Sequence, residues 1–393
     1  MRISHLFFIV AFALPLGIVG CVTQPPKSVE ALKPVPAFHK DLAEAVDFIA
    51  KNLRAQVSSD SILAAKVIPV DLFFNEHSAE EAVASKNLQK NLIDALAKSA
   101  PDGKFAILDS KNIQNAQWVA VANYASAKST ETGRDGQWIK LKVAFADVKT
   151  GAMVAQVTTH VAASQFNSAP TSFYKNAPLY LKDVTHADRN AVLEGKGKSL
   201  SNSLRIRAAL LEATDAYEVE NWSVALAGFQ RVLELAPEHT GALSGLYQVF
   251  WVTGHAAEAE AAFARLAAAG VDVGSLSVKL LFKLGSTDFV DDADLGKQYQ
   301  LWLRAMGQTV SQRKVCLDIQ GHASASGSVD FNQKLSLARA TRVASRMQQL
   351  GALSKGTVVP YGKGVSEMLV GTGANDATDS IDRRVEFVVR ACQ

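Results

Sequence analysis

The sequence holds few of the residues from which reactive sites are usually built. Only three cysteines and eight histidines occur in 393 residues. There is no C-x-x-C and no Cys/His cluster at ligand spacing, so no metal site is expected. H-E-x-x-H and G-x-S-x-G are missing too, and no nucleophile–base pair is marked, so neither a catalytic residue nor a cofactor is expected. The net charge is only +3, too small to argue a nucleic-acid partner. Gly195-Lys196-Gly197-Lys198-Ser199 ends like a phosphate-binding loop, but Val192 stands where that loop needs its first glycine. It reads instead as a flexible turn. Beyond Gly20 no apolar run approaches the roughly eighteen residues of a spanning helix.

What is present begins with Leu6 to Gly20, an apolar run broken only by Pro15, behind a short polar start at Arg2 and His5. It is short for a span and right for a secretory signal core. The run closes on Ile18-Val19-Gly20-Cys21, which resembles a bacterial lipobox. The resemblance implies a signal peptide over 1–20, cleavage before Cys21 and a diacylglycerol on its thiol. The alternative is an uncleaved anchor with an incidental cysteine. Val22, where an Asp would retain the protein at the inner membrane, implies an outer-membrane lipoprotein facing the periplasm. Several acyl chains give stable anchoring where one does not. In that oxidising compartment Cys316 and Cys392 are expected to form a disulfide, with two inert thiols as the alternative.

A hydrophobic content of 48% indicates packed domains, and the length leaves room for two or three. Residues 21–37, with Pro25, Pro26, Pro34 and Pro36, read as a semi-extended tether. From Phe38, Leu42, Val46, Ile49 and Leu53 fall on one helix face. Val67 to Phe74 reads as a strand, and Ser78-Ala79-Glu80-Glu81 as a capping box before a helix to Lys98. Phe105–Leu108 and Trp118–Tyr124 read as strands. Ile139, Leu141, Val143 and Phe145 alternate as a half-buried strand does, and a turn at Gly151 leads into Met153–Val161. Residues 38–165 are thus expected to form an α+β domain on an antiparallel sheet. The order, with Asp147-Val148-Lys149-Thr150-Gly151 before a second strand, resembles the envelope lipoprotein group that includes FlgO, CsgG and LpoB.

Residues 166–205 read as a connecting segment, in which Phe173-Tyr174 and Leu179-Tyr180-Leu181 could dock on a neighbouring domain. Over 206–270, Ala225 and Phe229 recur as Ala259 and Phe263, a period of 34, with Pro237 closing the first unit. Leu246, Phe250 and Gly254 occupy the matching places in the second. The period resembles the tetratricopeptide repeat, which implies helices that could hold a partner protein. A plain helical spacer is the alternative.

From 275 to 393 strands are expected at Val278–Phe282, Val315–Ile319, Thr357–Tyr361 and Arg384–Val389. Helices are expected near Leu295–Met306 and along Leu335, Ala338, Val343, Met347 and Leu350. This βαβαββ order resembles the OmpA-like domain. The motifs agree: Gly321-His322, Asn332, Leu335 to Ala340, Gly362-Lys363-Gly364 and Asp382 to Phe387. The resemblance implies a site for the peptidoglycan stem peptide. There Arg339 would grip a carboxylate, Asn332 would line the pocket, and Arg383 would stand at its edge, while His322 would be structural. Ser324 stands where the family has an Asp for the ligand's ammonium, which puts binding strength in doubt, and Asp330 is a nearby substitute. The competing reading of Arg339 is a helix-surface arginine paired with Asp318 or Asp382. The same resemblance allows the strands bearing Cys316 and Cys392 to lie adjacent and antiparallel.

The expectation is a non-enzymatic, α+β multidomain scaffold whose partners are the outer membrane, peptidoglycan and an unidentified envelope protein. The alternative is a regulator of a peptidoglycan synthase or of secretion or flagellar assembly, with wall binding lost.

Overall fold

The computed structural model describes residues 37–57, 62, 65–101, 103–127, 132–180, 184–283, 285–350, 353, 357–368 and 382–392. Cys21, the signal core and most of the tether lie outside them, as does Leu181.

The first region is a sheet covered on both faces. Its strands are β1 (Ala37–His39), β2 (Ile68–Val70), β3 (Phe74–Asn75), β4 (Phe105–Ile107), β5 (Trp118–Ala127), β6 (Trp138–Asp147) and β7 (Met153–Ala162). The order is β1-β7-β6-β5-β2-β4, with β3 beside β5. The sheet is mixed, which corrects the antiparallel expectation. Among the described strands β5–β6 and β6–β7 run antiparallel, whereas β1–β7, β2–β4, β2–β5 and β3–β5 are parallel. Parallel neighbours need a crossover connection, and helix α2 (Ala84–Ser99) supplies it between β2 and β4.

Helix α1 (Leu42–Gln56) starts where the Asp41 carboxylate accepts from the N–H groups of Ala43 and Glu44, and it buries Val46, Ile49 and Leu53 as expected. The expected capping box at Ser78 does not form. Ala79 takes a left-handed φ of 64°, Glu81 bridges to Phe74, and α2 begins only at Ala84.

α1 and α2 pack on Leu141, Val143 and Phe145 of one sheet face. The other face carries Val119, Val121, Ala144 and Ala146. It is covered by α4 (Val184–Leu193) and the first half of α5 (Ser201–Glu218). The connecting segment therefore supplies part of this region's core, through Val192, Leu193, Leu200 and Leu204. Phe173 and Tyr174 on the short α3 (Ser172–Asn176) are buried, as expected of docking residues. The turn at Gly195–Ser199 packs tightly: a Cβ on Gly197 would lie 2.3 Å from the Gly151 carbonyl oxygen.

Helices α5, α6 (Trp222–Leu235), α7 (Thr240–Val252) and α8 (Ala256–Asp272) form the helical middle. The repeated residues Ala225, Phe229, Ala259 and Phe263 are all fully buried. Gly245 faces the Phe229 ring, which a Cβ would meet at 2.4 Å, so the small residue lets two helices close on the aromatic.

The last region is β8 (Ser275–Val278), α9 (Ala293–Arg313), β9 (Cys316–His322), α10 (Val329–Gln349), β10 (Val358–Gly364) and β11 (Val385–Arg390), the expected βαβαββ order. The sheet order is β10-β9-β11-β8. β8 lies upstream of its expected place, because past Val278 the chain turns away and the Lys279 N–H bonds the Pro178 carbonyl. One continuous apolar core runs from Phe173 through the helices to Phe387. No helix among the described residues is long and apolar enough to cross a membrane.

Candidate ligand site of the C-terminal region

Helix α10 starts at Ser328, whose hydroxyl accepts from the Phe331 N–H, just after Gly327 at φ 91°. Its buried face is Asn332, Ser336, Arg339, Ala340, Val343, Ala344 and Met347. This corrects the expected face: Leu335 is half-buried and Ala338 exposed. The helix is rotated so that its first turns bury polar groups. Glycine on the sheet permits this, since a Cβ on Gly321 would sit 2.1 Å from the Ser336 carbonyl oxygen, and one on Gly362 would sit 2.8 Å from that of Gln333. Ser336 Oγ then accepts from the Gly364 N–H at 2.9 Å, tying helix to strand.

Asn332 and Arg339 lie seven residues apart, about two helical turns, on the same buried face. Asn332 Nδ2 donates to the Ser326 carbonyl at 2.8 Å, and Ser324 Oγ lies 3.2 Å from Ser326 Oγ. Ser324 is buried, and its hydroxyl has a partner in that of Ser326. Asp330 is exposed in the first turn of α10.

Arg339 is 5% exposed, not a surface residue. Its Nε donates to the Ser286 carbonyl at 3.1 Å and its Nη2 to the Lys283 carbonyl at 3.3 Å, and its guanidinium lies over the Phe282 ring. No carboxylate among the described residues pairs with it, and Asp318 is taken by Arg390 at 2.8 Å. Burial, then repulsion from half-buried Arg383, lowers its pKa to about 10, so it stays charged at neutral pH. Arg339 and Arg383, with no acid among the described residues facing Arg339, suit an anionic group.

Behind this site, Glu386 on β11 is held well below the usual carboxylate range. Burial alone would raise it, but contacts with His322 and Arg384 outweigh that. Arg384 Nε donates to Glu386 Oε1 at 2.8 Å, while His322 Nε2 stands 3.6 Å from Oε2, too far for a direct bond. His322 thus sits buried at a strand end, in the expected structural place.

Cys316 and Cys392 are bonded, with Cα atoms 5.1 Å apart. The pairing follows from register: β9 and β11 are antiparallel neighbours, with Arg390 opposite Cys316.

The sequence reading missed a buried charge cluster elsewhere. Asp71 accepts from Arg189 Nη1 at 3.0 Å and Arg207 Nε at 3.1 Å, and Arg207 also pairs with Glu81. The available signal was an acid inside the apolar run Val67–Phe74. That run is not one strand, because the chain leaves the ladder at Asp71 between β2 and β3.

A scan against protein-family models and a search of curated proteins find no match. Among solved structures, the chain is similar to the peptidoglycan-associated lipoprotein from Burkholderia pseudomallei, with 24% identity, 30% of this chain, 90% of that one and a TM-score of 0.25. It is also similar to the cell wall anchor of the T6SS from Pseudomonas aeruginosa, with 25% identity, 30% and 80% coverage and a TM-score of 0.25. A third is the OmpA-like domain of FopA1 from Francisella tularensis subsp. tularensis SCHU S4, with 22% identity, 30% and 75% coverage and a TM-score of 0.24.

Proposed function

We propose that the chain is a lipoprotein, anchored in the outer membrane through Cys21, that acts as a non-enzymatic scaffold between that membrane, peptidoglycan and an envelope complex. The observation that carries this reading is the buried α10 face, where Arg339 and Asn332 lie two turns apart with Arg383 close enough to repel the guanidinium. In this reading the C-terminal region is OmpA-like. Arg339 grips a carboxylate of the stem peptide, Asn332 lines the pocket, and Arg383 guards the rim. Helices α5 to α8 are tetratricopeptide-like units, and the N-terminal region belongs with the FlgO, CsgG and LpoB group. Either of these two regions would meet the protein partner.

Co-sedimentation of the full chain with purified sacculi tests the reading. Salt-sensitive pelleting that Arg339→Ala abolishes and Asp330→Asn leaves intact is expected, and equal pelleting of wild type and Arg339→Ala would overturn it. For the anchor, Cys21→Ser is expected to leave the detergent phase. Unchanged partitioning of a processed form would remove the lipid.

A second reading is a regulator that does not hold the wall. Two facts favour it: Ser324 offers no charge for the ammonium, and two Arg339 nitrogens already donate to the carbonyls of Lys283 and Ser286. Absence of wild-type pelleting selects it.

A further inference from the structure

A cleft of about 560 Å³ opens where the β6–β7 turn of the N-terminal region meets helices α5 and α6, remote in sequence from the α10 face. Its size falls in the range of small-molecule sites, roughly 300–1,000 Å³. Three cations line it, one from each element: Lys149 from the turn, Arg205 from α5 and Arg231 from α6. All three are exposed, and none of their side chains makes a hydrogen bond or ion pair among the described residues. No acidic side chain among the described residues lines the cleft. Two acids flank the cleft, each accepting from the backbone N–H of a lining residue. Asp147 Oδ1 accepts from the N–H groups of Lys149 and Thr150, and Glu212 Oε1 accepts from that of Ser110. Between the cations the wall is apolar, with Ile113, Val148 and Leu235.

Like charges converging on a cleft whose lining holds no acid cost free energy unless an anion joins them. Guanidinium groups favour phosphate because their planar forks match its oxygens. The apolar wall calls for a ligand that is not a bare ion.

We propose that this cleft binds an organic phosphate, with the phosphate oxygens held by Arg205, Arg231 and Lys149 and an apolar body against Val148 and Leu235. A phospholipid headgroup and a soluble phosphate ester share this chemistry.

Calorimetric titration of the full chain in non-ionic detergent tests it, with dihexanoyl phosphatidic acid, glycerol 3-phosphate and dihexanoyl phosphatidylcholine as probes. Saturable one-to-one binding of a phosphate probe is expected. Arg205→Gln and Arg231→Gln, both exposed and so able to fold, should each weaken it about ten- to a hundredfold, the loss of one charge-assisted contact. Lys90→Gln on α2 should leave it unchanged. Tighter binding of the lipid than of glycerol 3-phosphate supports the headgroup with its apolar body, and equal affinities overturn the apolar contact with Val148 and Leu235. The proposal is overturned if neither phosphate probe saturates, if the Arg205→Gln/Arg231→Gln double variant binds as wild type does, or if phosphatidylcholine binds equally well.

Discussion

Arg207 on α5 donates its Nε to Asp71 at 3.1 Å across 136 residues of sequence, with both side chains essentially inaccessible to water. The pair joins the first sheet to the first helix of the array. Asp71 binds Arg189 as well, and Glu81 binds Arg207 as well, so four charges from three segments neutralise one another. A buried ion pair adds little net stability over apolar residues, but breaking one strands a charge.

Asp71→Leu removes the buried carboxylate that Arg189 and Arg207 share. It is expected to destabilise the protein by about 3–5 kcal/mol. Urea unfolding reads this as a lowered midpoint, and a midpoint equal to wild type would mean the cluster is dispensable.

Glu386 sets an acid dependence. Its carboxyl sits below its ordinary value of 4.5 when folded, so the unfolded chain binds a proton more readily. Its contribution is then fully present above about pH 4.5 and declines as pH falls through the depressed folded value. Thermal melts from pH 6 downward should lose stability less steeply in Glu386→Gln than in wild type. Parallel curves would count against the depressed carboxyl.

The Cys316–Cys392 bond closes a loop across a separation of 76 residues. In the chain-entropy account such closure stabilises by roughly 4–5 kcal/mol. The Cys316→Ala/Cys392→Ala double variant is expected to melt lower, with the loss confined to the C-terminal region in hydrogen exchange. Mass spectrometry of native protein that finds two alkylatable thiols would rule the bond out.

Ser324→Asp places a carboxylate where the resembled family has one. If the wall-binding reading holds, sacculus affinity should rise about ten- to a hundredfold, the worth of one charge-assisted contact. No change, together with loss in Arg339→Ala, would mean the ammonium is not held there.

Much of the C-terminal region was legible in the sequence because its signals are local. Gly321, Gly362 and Gly364 mark where a helix rides on strands, and the apolar runs around them give strands of nearly the right length. The α10 face was misread because its inward residues near the site are Asn332, Ser336 and Arg339. A pattern of hydrophobic spacing passes over buried polar groups that are satisfied by partners elsewhere in the chain.

By itself the sequence determined the βαβαββ order of the C-terminal region, the repeat at Ala225/Phe229 and Ala259/Phe263, and the candidate ligand residues on α10. With Cys21 read as the lipidated residue, it also made Cys316–Cys392 the expected pair. Strand register made that pairing possible by setting Arg390 opposite Cys316. Tertiary structure alone decided that the first sheet is mixed and that residues 184–211 cover its second face. It alone decided that Arg339 lies under the carbonyls of Lys283 and Ser286. The reason is range: periodicity and turn chemistry act over a few residues. Parallel pairing, a buried charge such as Asp71 and a cation's choice of acceptor are set by groups far along the chain, which meet only when the core closes.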